Sequence, residues 1–180
     1  VRLALLGSNG EIPLRLAGEA VAGGGERVLE LTDAEHEFEF QGVHERPLPS
    51  LLRGFSAPLR LRYEYSLDDL AEPMRRDTDG VARWDAGQSL AVRVLQQRIA
   101  ASGAAPVPAA EERLLDGFRW LLGDTSSDRA LIAQMLILPG EAYLAELVES
   151  IDPQAIHAAR SSLRRDIASR LRDSLLRCYL

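Results

Sequence analysis

The chain has 180 residues, with 27 Asp and Glu against 21 Arg and no Lys, 46% hydrophobic residues and a formal charge of −6. That apolar content is enough for a core and excludes long disorder, and the acidic balance argues against a general nucleic-acid binder, whose phosphate contacts need clustered cations. No run of about 18 apolar residues occurs, which excludes a membrane-spanning helix, and Val1 to Leu6 is too short for the apolar core of a signal peptide.

Residues 1–65 read as strands. Val1 to Leu6 is followed by Gly7-Ser8-Asn9-Gly10, whose Asn-Gly pair supplies the positive-φ positions of a tight turn, and then by Ile12 to Leu16; this predicts a hairpin. Val28 to Leu31 is a further candidate. His36 to Phe40 alternates at period two, which puts Phe38 and Phe40 on a buried face and leaves Glu37 and Glu39 in water. Beyond Pro47 and Pro49, Ala57 to Tyr65 alternates again, with Leu59, Leu61, Tyr63 and Tyr65 on one side and Arg60, Arg62 and Glu64 on the other. Short strands between turns predict a small β-sandwich, thin enough to lean on a neighbour.

From Ser66 the apolar period becomes that of helices, so two domains are expected, 1–65 and 66–180. Ser66-Leu67-Asp68-Asp69 carries a capping pattern, and Pro73 is expected to kink or end the short helix it starts. Further helices are expected from Val81 to Ala101 with Gly103 as cap, from Pro108 to Leu122, from Asp128 to Leu138, from Glu141 to Glu149, and from Asp152-Pro153 to the chain end. The last carries the stripe Ile156, Leu163, Ile167, Leu171 and Leu175. Antiparallel helices on short loops predict a bundle or the start of an α-superhelix.

Few side chains are arranged for chemistry. His36-Glu37 and His44-Glu45 each begin a His-Glu-x-x-His zinc motif, but Phe40 and Leu48 stand where the second His belongs, and neither segment is helical. Gly87-Gln88-Ser89-Leu90-Ala91 approaches a nucleophile elbow, yet it lies inside a predicted helix, so Ser89 reads as a plain helical serine. Gly23-Gly24-Gly25 lacks the Lys and the following helix of a phosphate loop and reads as a flexible turn. Arg160, Arg164, Arg165, Arg170, Arg172 and Arg177 form a basic flank without interleaved aromatics, expected to pair with an acidic neighbour absent from this chain rather than with nucleic acid. Trp84 and Asp85 read as packing and helix N-terminal charge. The lone Cys178 has no internal disulfide partner, which favours a reducing, cytoplasmic setting. The absence of Lys is given no functional weight.

Taken in order, Gly54-Phe55-Ser56-Ala57-Pro58-Leu59, Arg83-Trp84-Asp85-Ala86-Gly87-Gln88-Ser89-Leu90, Leu136-Ile137-Leu138-Pro139 and Ile151-Asp152-Pro153-Gln154-Ala155-Ile156-His157 resemble the bacterial aminopeptidase N family of zinc metallopeptidases. The resemblance covers nearly the whole chain, with departures at Gly87, where the family more often has Ala, and at Pro73. It implies an immunoglobulin-like β-sandwich, the family's third domain, followed by the opening helices of its large α-superhelix. It also implies a parent that removes N-terminal amino acids from peptides with a zinc-bound water. The family's His-Glu-x-x-His helix, downstream Glu ligand, Gly-x-Met-Glu-Asn loop and catalytic Tyr have no counterpart in this sequence. No catalytic, cofactor-binding or metal residue is therefore assigned, and zinc is expected only in the parent's catalytic domain.

A chain that opens on Val inside a strand and stops within an amphipathic helix reads as excised. Its expected partners are the remainder of the parent polypeptide and, for the parent, peptide substrates; neither nucleic acid nor membrane is expected. A dimer of the isolated chain through Leu171, Leu175 and Tyr179 is a further expectation. The competing class is a free-standing protein-interaction module. An independent enzyme is the weakest reading, for want of a nucleophile with a base or a metal cluster.

Overall fold

The structure, a computed structural model, describes residues 1–101 and 108–179. An antiparallel sheet is built around β1 (Arg2–Gly7). β2 (Gly10–Glu11) pairs with it through Leu6↔Glu11, β3 (Glu26–Val28) through Leu3↔Arg27, and β4 (Leu48–Leu51) through Leu5↔Pro49. Leu3, Ala4, Leu5 and Leu6 are all buried, because alternate residues point to opposite faces and both faces are covered. Leu3 and Leu5 join Leu14 and Leu29 in a small core edged by Phe38 and Phe40, while Glu37 and Glu39 face solvent as the alternation requires. On the other face Leu6 shares with Asp69, Glu72 and Arg76 the wall of a cavity of about 310 Å³.

Several expectations for this region change. The Asn-Gly hairpin forms, with Gly10 at φ 109°, but its second strand is only Gly10–Glu11. Past Pro13 the chain leaves β1: Leu14 N–H donates to Gly24 O at 3.1 Å and Gly23 N–H donates to Leu14 O at 2.8 Å, so the glycine run is a paired edge rather than a free turn. His36 to Phe40 contributes a single bridge, Leu16↔Phe40. β4 forms at Pro49, where no strand was expected; it is an edge strand paired to β1, and an edge tolerates a residue with no N–H to give. Ala57 to Tyr65, despite its alternation, has no sheet partner among the described residues, and Leu59, Leu61 and Tyr63 stay 44%, 37% and 48% exposed.

The helices are α1 (Leu67–Arg76), α2 (Gly80–Ala100), α3 (Pro108–Gly123), α4 (Arg129–Met135), α5 (Glu141–Glu146), α6 (Pro153–Arg170) and α7 (Arg172–Tyr179). Their starts are written in side-chain caps. Ser66 and Asp69 exchange bonds of 3.0 and 3.1 Å in a capping box, and Asp79, Asp128 and Asp152 accept from the first free N–H groups of α2, α4 and α6. Pro73 does not end α1, which runs on to Arg76, because Leu70, Ala71, Pro73 and Met74 are buried together and packing holds the helix across the missing hydrogen bond. The cap expected at Gly103 lies outside the described residues. The final helix breaks at Leu171, which takes φ −109° and ψ 14° and inserts its side chain into the core at 2% exposure. Leu171 therefore leaves the dimer stripe, and exposed Leu175 and Tyr179 remain.

α2 is the axis of the helical part, touching α1, α3, α4 and α6. Its Leu90, Val94 and Leu95 pack against Met74, Leu114, Phe118, Met135, Ile156 and Leu163. Two buried arginines pin its ends. Arg83 donates to Asp124 at 3.2 Å, to Ser127 at 2.6 Å and to Met74 O at 3.3 Å, with its guanidinium 5.4 Å from the Trp120 ring centre. Arg98 donates to Glu111 at 2.6 Å, Asp166 at 2.7 Å and Ser162 at 2.9 Å, tying α2 to α3 and α6.

Candidate functional site

The densest polar constellation lies where sheet and helices meet. A 3₁₀ turn, Arg53–Phe55, follows β4, and Leu52, Gly54 and Phe55 all take positive φ, at 57°, 60° and 51°. For Leu52 and Phe55 this left-handed conformation is strained by about 1–2 kcal/mol each. The strain is offset by what it aims: Arg53 turns inward, only 2% exposed. Its guanidinium donates to Glu11 of β2 at 2.6 Å, Glu26 of β3 at 3.1 Å, and Asp77 and Thr78 between α1 and α2 at 2.8 and 2.6 Å. Burial disfavours the charge, but Asp77 and Glu11 outweigh it and raise the guanidinium pKa. Gly54 N–H donates at 3.2 Å to Asp79, which also caps α2, and Arg76 reaches back to Ser8 O at 3.1 Å. This set of contacts is a latch between two layers, its three carboxylates and the Thr78 hydroxyl all turned onto Arg53.

A cavity of about 660 Å³ opens between the unpaired segment at Tyr63 and Tyr65, α2 from Trp84 to Gln96, and α5. Trp84, Asp85, Ser89, Arg93 and Tyr143 line it. Trp84 is partly buried and also packs on the helical core. Asp85 keeps much of its surface open to solvent, and the cavity wall behind it pushes its carboxyl pKa up by desolvation.

The other residues singled out from sequence are dispersed. His36 Nε2 accepts from Thr32 and Asp33 N–H groups, both at 2.8 Å, and the ring stacks on Phe38, which makes it a turn residue. His44 is exposed, and His157 pairs with Glu141 at 2.9 Å. Ser89 sits mid-helix in α2. In the basic flank, Arg160 caps Pro139 O at 2.8 Å and Arg170 meets Glu112 at 2.7 Å, so part of its acidic or carbonyl complement lies within the chain. No group of three or more His, Cys, Asp or Glu able to hold a metal exists among the described residues, and the donor set for a zinc site is not found there.

Residues 67–180 match a family described as a domain of unknown function (DUF3458_C) with ARM repeats, and residues 1–64 one described as a domain of unknown function (DUF3458) with an Ig-like fold. Aminopeptidase N of Escherichia coli (strain K12) is 38% identical over 168 residues, covering 93% of this chain. Aminopeptidase N of Haemophilus influenzae is 34% identical and that of Caulobacter vibrioides 38%, each over 84% of this chain. The chain belongs to the aminopeptidase N family. The crystal structure of Legionella pneumophila aminopeptidase A in complex with aspartic acid superposes with a TM-score of 0.78 at 26% identity, over 98% of this chain and 19% of that one. The chain spans about a fifth of the curated family members it matches, 19%, 18% and 17% of their lengths.

The residue that sequence reasoning missed is Arg53, which sits beside the Gly54-Phe55 string that carries the resemblance. Its one signal was the exclusive use of Arg. Arg53, Arg83 and Arg98 each bond several partners through a buried planar fork, a geometry that the single ammonium of Lys does not reproduce.

Proposed function

We propose that this region is a non-catalytic junction within a zinc-dependent aminopeptidase N, joining the domain that carries the chemistry to the helical domain and helping to wall its peptide chamber. The observation that carries the reading is the Arg53 latch, which locks β2, β3 and the α1–α2 turn into one unit, in a chain whose relatives named aminopeptidase N are about five times longer by the 19% coverage. The parent then removes N-terminal amino acids from peptides in the cytoplasm, a location compatible with the free, exposed Cys178. Zinc would belong to the parent's catalytic domain.

The test is hydrolysis of an aminoacyl chromogenic substrate by the full gene product and by the 180-residue chain, each with and without a chelator. Activity only in the full product, lost on chelation, supports the reading. Absence of activity from the full product refutes it and favours a free-standing interaction module. Exposed Leu175 and Tyr179 further support self-association of the separate chain, which sedimentation at several concentrations checks by a rise in mean mass.

A further inference from the structure

The cavity between α2, α5 and the unpaired segment holds two charges that the latch and the core do not use. Among the described residues, neither the Asp85 carboxylate nor the Arg93 guanidinium has an ion-pair or hydrogen-bond partner, whereas Arg53, Arg83 and Arg98 each bond several groups. Both line the same cavity and both project from α2, eight positions apart in the sequence. At 1.5 Å per residue that is a rise of about 12 Å. The same cavity is lined by four aromatic rings, Tyr63 and Tyr65 with centres 4.4 Å apart, Trp84 and Tyr143. The volume of about 660 Å³ is that of a small-ligand site lined mainly by apolar surface with a few polar anchors.

We propose that this cavity is a binding site for a short unblocked peptide, its N-terminal ammonium at Asp85 and its C-terminal carboxylate at Arg93. The two ends must carry opposite charges, because the anchors do. They must also be about as far apart as the anchors allow. A free amino acid is too short, whereas two or three extended residues span roughly 7–10 Å and the Asp85 and Arg93 side chains close the remainder. The aromatic walls accept side chains of varied shape, and Tyr and Trp rings beside the ammonium end add cation–π attraction. The raised Asp85 pKa fits a carboxylate that lacks its cation: an ammonium seated against it would lower that pKa again. All of its lining residues lie within the 180-residue chain, so its test does not depend on the peptidase reading.

The experiment is a titration of the 180-residue chain, in a Trp120→Phe background so that Trp84 alone reports, with trialanine, N-acetyl-trialanine, trialanine amide and the doubly blocked peptide. Saturable Trp84 quenching by trialanine is expected, with each blocked end weakening binding about three- to fivefold, as befits a partly exposed ion pair. Asp85→Asn should lose the same factor and become indifferent to N-acetylation. Arg93→Gln should become indifferent to amidation. No saturable response, or equal binding of the doubly blocked peptide, overturns the proposal. The peptide series on the otherwise native chain decides the matter even if a variant folds poorly.

Discussion

The sheet and the helical stack solve the same problem at different distances along the chain. The helical core gathers Met74, Leu90, Val94, Leu95, Leu114, Phe118, Leu144, Ile156 and Leu163, and each helix contributes a stripe whose spacing is set within itself. The sheet's own core is Leu3, Leu5, Leu14 and Leu29, and every strand depends on a partner elsewhere. Such a core falls short of what a free-standing sandwich needs. Its second face and its one fully buried cation are turned toward the helices instead. The difference teaches that the sheet is stabilised largely by what it is latched to, and Arg53 is the place to break the comparison. Arg53→Met leaves the buried Asp77 carboxylate without its cation, with the half-buried Glu11 and exposed Glu26 beside it, at a cost of about 3–5 kcal/mol. Urea unfolding of the native chain is expected to be a single transition. In the variant the sheet should melt first, giving two transitions, one seen by far-UV β signal and a later one by helix signal.

Within the helical part the largest expected loss is at Leu171, where the final helix breaks. Leu171→Ala opens a cavity at a 2% exposed position and should cost about 2–4 kcal/mol, while Leu175→Ala, at 37% exposure, should change stability by less than ~0.5 kcal/mol. Thermal or urea midpoints for the pair decide it. Equal effects would mean that α7 packs as one continuous stripe with α6.

These two regions were also unequally legible. Helix starts were readable because a cap is a local device: Ser66, Asp128 and Asp152 each bond N–H groups two or three residues away. Helix persistence was less so, since what carries α1 through Pro73 is burial against α2. In the sheet, alternation marked Phe38 and Phe40 rightly but promised a strand at Ala57 to Tyr65 that has no partner, because a period of two describes side chains and says nothing of who donates the next hydrogen bond. β4 hid behind Pro47 and Pro49. Arg53 was invisible because its partners lie 42, 27 and 24 positions away, beyond any spacing rule. The cavity residues Trp84 and Asp85 were singled out, but their companions Tyr63, Arg93 and Tyr143 come together only in the fold.

A smaller effect, and one confined to the helices, concerns acid. Asp124 accepts from Ser126 and Ser127 hydroxyl and N–H groups; burial would raise its carboxyl pKa, but these bonds outweigh it and hold the pKa well below the usual carboxylate range. Because the folded pKa is depressed, the group's stabilisation is complete above the unfolded value of ~3.9 and is lost as pH falls through the folded value. Asp124→Asn should therefore flatten the fall in stability below about pH 4 while lowering stability at neutral pH. Urea midpoints of both proteins from pH 7 to 2.5 check this. An unchanged slope would mean that Asp124 does not carry the acid sensitivity of the helical part.

The finest distinction lies between two glycines facing one methionine. A Cβ at Gly87 in α2 would meet Met74 Cε and Sδ at 3.6 Å, ordinary contact, whereas a Cβ at Gly117 in α3 would stand 2.6 Å from Met74 Sδ and 3.0 Å from its Cε. Both positions are helical, so Ala at either removes a backbone entropy cost of about 0.5–1 kcal/mol. At Gly87 nothing opposes that gain, and Gly87→Ala should stabilise by about that amount. At Gly117 the methionine has to move, and with Met74 wholly buried the overpacking of about 1–3 kcal/mol should reverse the sign. Chemical denaturation of the two variants resolves opposite shifts of this size. If both stabilise, Met74 has room to turn aside and the helical core is looser than its burial suggests; Met74→Leu combined with Gly117→Ala would then stabilise no further.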